Sequence, residues 1–274
     1  MVHKFIFTAA LKNVSKTKRA PSVNFAQCFN HKQRRLECKV CRDICPKNAI
    51  TYDKQIRVDS ELCNGCHLCH GSCPLRCISP SRAFIKHYDD TLQVCCKHGG
   101  AHAGIGVPCV ASLPWDFYAT LSHRSPIAII TGHCDTCAFG AREHVELIFA
   151  QLQSFFGDSY INKISRQTKS DDAEYSRREI LGIFARKAKP PADVAISETY
   201  RDLLLGELDD PSAYNWPTFH INGSCVGCGV CEKLCPHEAI KMNGGKPSHN
   251  PLNCINCGLC KSACPKKSIL LNGV

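Results

Sequence analysis

No apolar run in this 274-residue chain offers a membrane span. Phe5–Leu11 is ended by Lys12 too early for a secretory leader. Ile127–Ile130 falls far short of the roughly 20 residues a spanning helix needs. Motifs of substrate chemistry are also missing. There is no P-loop, no H-E-x-x-H and no Ser-His-Asp order. Gly99-Gly100…Gly104…Gly106 lacks G-x-G-x-x-G order, and only eight residues separate Cys96 from Ile105, too few for the helix of a dinucleotide site. Acidic residues are outnumbered: 24 Asp and Glu face 34 Lys and Arg, for a formal charge of +10. Such an excess invites a nucleic-acid partner, unless the chain carries its own negative charge.

Cysteine is what the chain has in abundance, at 22 residues. A secreted disulfide scaffold would be shorter and would not space its thiols in twos and threes. These thiols are expected to bind metal in a reducing, cytoplasmic setting. Near the C-terminus Cys225, Cys228, Cys231 and Cys235-Pro236 are followed by Cys254, Cys257, Cys260 and Cys264-Pro265, which is C-x2-C-x2-C-x3-C-P twice. Near the N-terminus stand Cys38, Cys41 and Cys45-Pro46, then Cys63, Cys66, Cys69 and Cys73-Pro74. There the first cysteine is displaced: Arg35 stands in its place and cannot bind iron, while Cys28 is available upstream. Zinc competes for C-x2-C pairs in general, but poorly for a run of eight.

Over roughly 28–78 and 219–270 this pattern resembles two-cluster ferredoxins, in which the C-x3-C-P cysteine ligates the other cluster. The resemblance implies four 4Fe-4S clusters. Cluster one would take Cys28, Cys38, Cys41 and Cys73, or be a 3Fe-4S site with Cys28 a bystander. Cluster two would take Cys63, Cys66, Cys69 and Cys45. Cluster three would take Cys225, Cys228, Cys231 and Cys264, and cluster four Cys254, Cys257, Cys260 and Cys235. Gly65, Gly227 and Gly258 would let each loop pass close to sulfide. At about −2 per site, four clusters bring the charge down to near +2, so no nucleic-acid surface is needed.

Four times a Cys-Pro step leads to an isoleucine five positions on: Cys45…Ile50, Cys73…Ile78, Cys235…Ile240 and Cys264…Ile269. The residue before each isoleucine is small: Ala49, Cys77, Ala239 and Ser268. Cys77 therefore reads as a small core residue rather than a ligand. His67 and His70, inside the second loop, read as solvent-facing, with tuning of a cluster potential as the sharper alternative.

Between these regions the texture changes. Leu92–Cys96, Ile105–Val110 and Ile127–Thr131 read as buried strands. Trp115–Ser122 and Ala138–Phe156 read as helices, the second with Val145, Ile148, Phe149, Leu152 and Phe155 at helical spacing. The expected class is α+β: two ferredoxin-like modules, at 24–80 and 219–274, around a small α/β domain with a parallel sheet at 84–157. Residues 158–218 read as a charged linker with helices around Arg177–Lys187 and Ser197–Leu205.

The middle cysteines each lie at or just after a strand: Cys95 or Cys96, Cys109, Cys134 and Cys137. Parallel strand ends share one edge, where sites gather. The arrangement resembles the small iron–sulfur domain of methyl-viologen-reducing hydrogenase delta subunits, which implies a further 2Fe-2S or 4Fe-4S cluster. A redox-active dithiol at Cys134 and Cys137 and a structural zinc are the rivals. His98, His102 and His133 lie near this edge and read as solvated or core-bonded. Ser176–Leu181 resembles the linker of multi-cluster oxidoreductase subunits.

Together these features predict an electron-transfer subunit rather than a stand-alone enzyme. Its partner would be the catalytic subunit of an anaerobic oxidoreductase, such as a molybdenum or tungsten enzyme or a hydrogenase. Electrons would enter by one module, cross the middle domain and leave by the other. A reductase with its own chemistry at the middle cysteines, and a basic zinc-binding nucleic-acid protein, are the alternatives.

Overall fold

A computed structural model describes residues 20–32, 38–53, 55–80, 86–87, 93–99, 104–168 and 200–272. Phe5–Leu11, Arg35, Gly100, His102, Ser176–Leu181 and the helix expected at Arg177–Lys187 lie outside them.

The first region runs β1 (Ser22–Val23), α1 (Phe29–Lys32), α2 (Val40–Asp43), β2 (Ile50–Asp53), β3 (Gln55–Val58), α3 (Leu68–Ser72) and β4 (Ile78–Ser79). β1 pairs antiparallel with β4, and β2 forms a hairpin with β3. The middle comprises β5 (Lys86–His87), β6 (Gln93–Cys96), β7 (Ile105–Val107), α4 (Trp115–Arg124), β8 (Ile127–Thr131), α5 (Arg142–Phe156), α6 (Tyr160–Lys163), β9 (Ile164–Thr168) and α7 (Tyr200–Glu207). The last region repeats the first: β10 (Thr218–Ile221), α8 (Val230–Leu234), β11 (Ile240–Asn243), β12 (Lys246–His249), α9 (Leu259–Ala263) and β13 (Ile269–Asn272). Here β10 pairs antiparallel with β13, and β11 with β12.

The helices α3, α8 and α9 are short because Cys-Pro ends each of them. Proline excludes the helical region for the residue before it. Cys73, Cys235 and Cys264 accordingly turn to extended backbone, with ψ of 115°, 112° and 113°. Three residues after every Cys-Pro cysteine the chain enters the left-handed region, at Asn48, Arg76, Glu238 and Lys267, with φ of 48–50°. Each of these residues donates its N–H back to the cysteine carbonyl.

The middle sheet has the order β5-β7-β6-β8-β9. β7, β6, β8 and β9 run parallel, and β5 adds an antiparallel edge. Val94, Val107, Ile127 and Ile129 of the sheet share a core with Val145, Ile148, Phe149, Leu152 and Phe155 of α5. Two expected elements are shorter than read. The strand from Ile105 stops at Val107 before Pro108, and α5 starts at Arg142, after Gly140 breaks the chain at φ 59°. The described parts of the expected linker are built into this domain. β9 joins the sheet, while Tyr200, Leu204, Leu208 and Trp216 enter the core beside Trp115 and Phe155.

The regions pack on one another directly. Leu68 and Cys66 of the first join the middle core. A β-carbon on Gly71 would lie 2.4 Å from the Ala111 carbonyl oxygen, so α3 can sit this close to the Val110–Ser112 turn only with glycine there. Phe29 and Leu75 of the first region pack against Val230, Leu234 and Leu259 of the last.

Candidate iron–sulfur centres

Folding gathers the cysteines into sets of four. Cys45, Cys63, Cys66 and Cys69 line one small cavity. Cys225, Cys228, Cys231 and Cys264 line a second, and Cys235, Cys254, Cys257 and Cys260 a third. Cys28, Cys38, Cys41 and Cys73 lie close enough for their charges to act on one another. In the middle, Cys96, Cys109, Cys134 and Cys137 line a small cavity at the C-terminal edge of the parallel strands. Cys96 is the member of its pair in that lining. Its neighbour Cys95, 2% exposed, is absent from it, as the alternation of side chains along β6 requires. We number the sets one to four as above and call the last the middle set.

The donor chemistry fits an iron–sulfur cluster. The ligand positions of the sets supply only sulfur, the donor such clusters take. Burial, and then the neighbouring thiolates, push the thiols up: Cys41 and Cys257 to about 12, Cys66 to about 11. Cys69 and Cys109 are raised further by the same causes. Bare, these thiols hold their protons at neutral pH. Binding to iron displaces the protons and relieves the clustering.

Backbone amides point at the sulfurs. Ala49, Ala239 and Ser268 donate their N–H to the Sγ of Cys45, Cys235 and Cys264 at 3.3, 3.2 and 3.4 Å. Cys77 does the same to Cys73. The small residue of the fourfold repeat is thus the one whose backbone closes on a ligand-position sulfur. Gly65, Gly227 and Gly258 all lie at positive φ, between 68° and 72°.

The first loop departs from its sisters. The residue opening the helix is left-handed in three loops, His67 at φ 56°, Gly229 at 69° and Gly258 at 72°, whereas Lys39 is at −103°. Asn30 clamps this loop. Its side chain, 3% exposed, donates to the Cys38 carbonyl at 2.8 Å and accepts the Cys38 N–H at 2.5 Å. That clamp fixes the Cys28 segment to the Cys38 loop. Sequence reasoning missed Asn30; only its place two residues after Cys28 hinted at it.

His67 and His70 are not solvent-facing. They are 4% and 2% exposed, because α3 turns them inward, and His70 Nδ1 lies 2.7 Å from the Ile78 carbonyl oxygen. Burial lowers both to about 4, so they are neutral near pH 7. His98 lines the middle cavity and packs edge-on against Phe139, and His133 is exposed. Arg201, 3% exposed, is a second residue the sequence did not flag. Its guanidinium lies between Trp115 and Trp216, at 5.1 and 4.6 Å, and donates to the Cys254 carbonyl. It ties α7 to the fourth set.

Packing and charge link the sets. Cys66 of set two and Cys109 of the middle set belong to one apolar core. Cys69 of set two feels Cys41 of set one. Cys38 of set one and Cys257 of set four pack into one apolar cluster. Cys73 and Cys257 also line a shared cleft between the regions. Cys260 of set four feels Cys231 of set three.

Two family matches and one relative bear on these sites. Residues 224–268 match a family described as 4Fe-4S dicluster domain. Residues 36–52 and 60–82 match one described as 4Fe-4S binding domain. The chain thus carries two stretches that match ferredoxin-type iron–sulfur domains, which support an electron-transfer role. It is also 39% identical over 51 residues to the ferredoxin-type protein NapF of Haemophilus influenzae. That match covers 16% of this chain and 29% of NapF. Cys28 and the middle cysteines fall outside the matched family ranges. Among the described residues no helix is long and apolar enough to cross a membrane.

Proposed function

We propose that the chain is an unbranched electron relay of five iron–sulfur sites, a subunit that works docked to a catalytic oxidoreductase. The order along the relay is the middle set, set two, set one, set four, set three. What supports this reading is the packing and charge that link the sets: the middle set and set two enter one apolar core, and the first region packs directly on the last. On this order the middle domain is an end of the wire, where the sequence alone put it at the centre. Each site supplies a one-electron carrier; the protein supplies burial, spacing and hydrogen bonds to sulfur, which set potentials. Cys228, the exposed member of set three, puts that end at the surface. A molybdenum or tungsten enzyme or a hydrogenase is the class of partner that needs such a feed. Four thiols around one cavity favour a cluster in the middle domain over a Cys134–Cys137 dithiol, which would use two of them.

Iron analysis of the anaerobically purified full chain should return at least about 16 iron atoms, four per cubane site. About eight or fewer removes one region from the account. Cys28→Ser should convert one site toward 3Fe-4S, and an unchanged EPR spectrum and iron content would return Cys28 to bystander. Cys109→Ser should remove the middle cluster's absorption; a colourless dithiol cycling in the unaltered chain would promote the reductase reading.

A further inference from the structure

The four equivalent slots after the Cys-Pro cysteines are equally buried, at 1–3% exposed, yet they are filled in two ways. Ala49 and Ala239 follow the cysteines assigned to sets two and four and bring only a backbone N–H to sulfur. Cys77 and Ser268 follow the cysteines assigned to sets one and three and bring a side-chain group as well. Ser268 Oγ lies 3.1 Å from Cys264 Sγ, and Cys77 Sγ lies 3.4 Å from Cys73 Sγ. The Cys77 thiol also hydrogen-bonds Cys28, a second member of set one. Once Cys73, Cys28 and Cys264 bind iron their sulfurs carry no proton, so the Cys77 S–H and the Ser268 O–H are the donors.

We propose that Cys77 and Ser268 are matched tuning residues, which raise the potentials of sites one and three above those of sites two and four. A hydrogen bond to a ligating sulfur stabilises the extra negative charge of the reduced cluster. The relay would then alternate, set two low, set one high, set four low, set three high, with the high site of each pair marked by the side-chain donor. This rests on the ligand sets given under the proposed function.

The test is a redox titration of the full chain followed by EPR, with iron content measured in parallel. Alanine is native in the two sister slots, so Cys77→Ala and Ser268→Ala fit the space. Each should lower the potential of one cluster, a different one in each variant, with iron content unchanged. Cys77→Ser keeps a donor and should restore the lost shift. Ala239→Ser should raise one potential. Unshifted potentials in both alanine variants overturn the proposal. So does loss of a cluster in Cys77→Ala, because Cys77 would then be a ligand. Iron content in the unaltered chain tests the ligand sets separately: about eight atoms or fewer fails those sets, whereas full iron with unmoved potentials fails only the tuning.

Discussion

The first and last ferredoxin-type regions share strand pairings, Cys-Pro turns and left-handed residues, but they differ in depth. Cys41, Cys66, Cys69 and Cys73 are buried, while their counterparts Cys231, Cys257, Cys260 and Cys264 are half-exposed and Cys228 is exposed. The cause is packing on both sides. The first region meets the middle core through Leu68 and the last region through Phe29 and Leu75. On the proposed relay, one scaffold would serve two ends: a sealed interior site that passes electrons on, and an accessible one that exchanges them with a partner.

A serine in each region separates the two roles most sharply. Cys69→Ser, 8% exposed and surrounded by the first region's thiols, should unsettle the core along with its site. The expected result is a lowered melting temperature, loss of about four iron atoms and blocked electron flow from the middle set to set three. Cys228→Ser should cost similar iron with little change in melting temperature. Equal thermal losses would erase the contrast in depth.

Asn30→Ala should come next. It leaves the Cys38 N–H and carbonyl without their clamp, and each unmet buried polar group costs about 1–3 kcal/mol. The first site should lose iron selectively, seen as one missing EPR signal with the last region's signals intact. Weakening of both regions together would mean that Asn30 supports the junction instead.

A ferrous chelator added to the reduced chain should strip set three before sets one and two, because Cys228 gives it access. Loss of iron in the reverse order, followed by EPR, would place the surface exit elsewhere.

Much of this was legible because the constraints are local. Cys-Pro spacing fixes where α3, α8 and α9 stop, and the Val145–Phe155 pattern marks α5 as a core helix. What was hidden depends on contacts distant in sequence. β9 reads Ile164-Ser165-Arg166-Gln167-Thr168, with only Ile164 buried; an edge strand with one buried residue has no alternation to detect. The inward turn of His70 brings its Nδ1 to the Ile78 carbonyl oxygen, a contact that the cysteine spacing does not encode. The proposed order of the relay rests on Phe29 meeting Leu234 and Leu259, some 200 residues downstream. The small slot was visible as a repeat, but its purpose appeared only when the amide-to-sulfur distances were in hand.

The smallest expected effect tests whether the first loop truly has its own shape. Gly229 opens α8 at φ 69°, and the nearest atom to a β-carbon there is Met242 Cγ at 3.8 Å, so space is not limiting. Gly229→Ala should therefore cost only the left-handed backbone penalty, about 1–2 kcal/mol. Lys39 holds the equivalent position at φ −103°, where any residue is comfortable. Lys39→Gly gains nothing from glycine's freedom and loses chain entropy, about 0.5–1 kcal/mol. Both substitutions should thus destabilise, measured by chemical denaturation of the iron-loaded chain. A stabilising Lys39→Gly would mean that the first loop adopts the left-handed form of its sisters, and that Asn30 and Cys28 restore the ordinary geometry instead of replacing it.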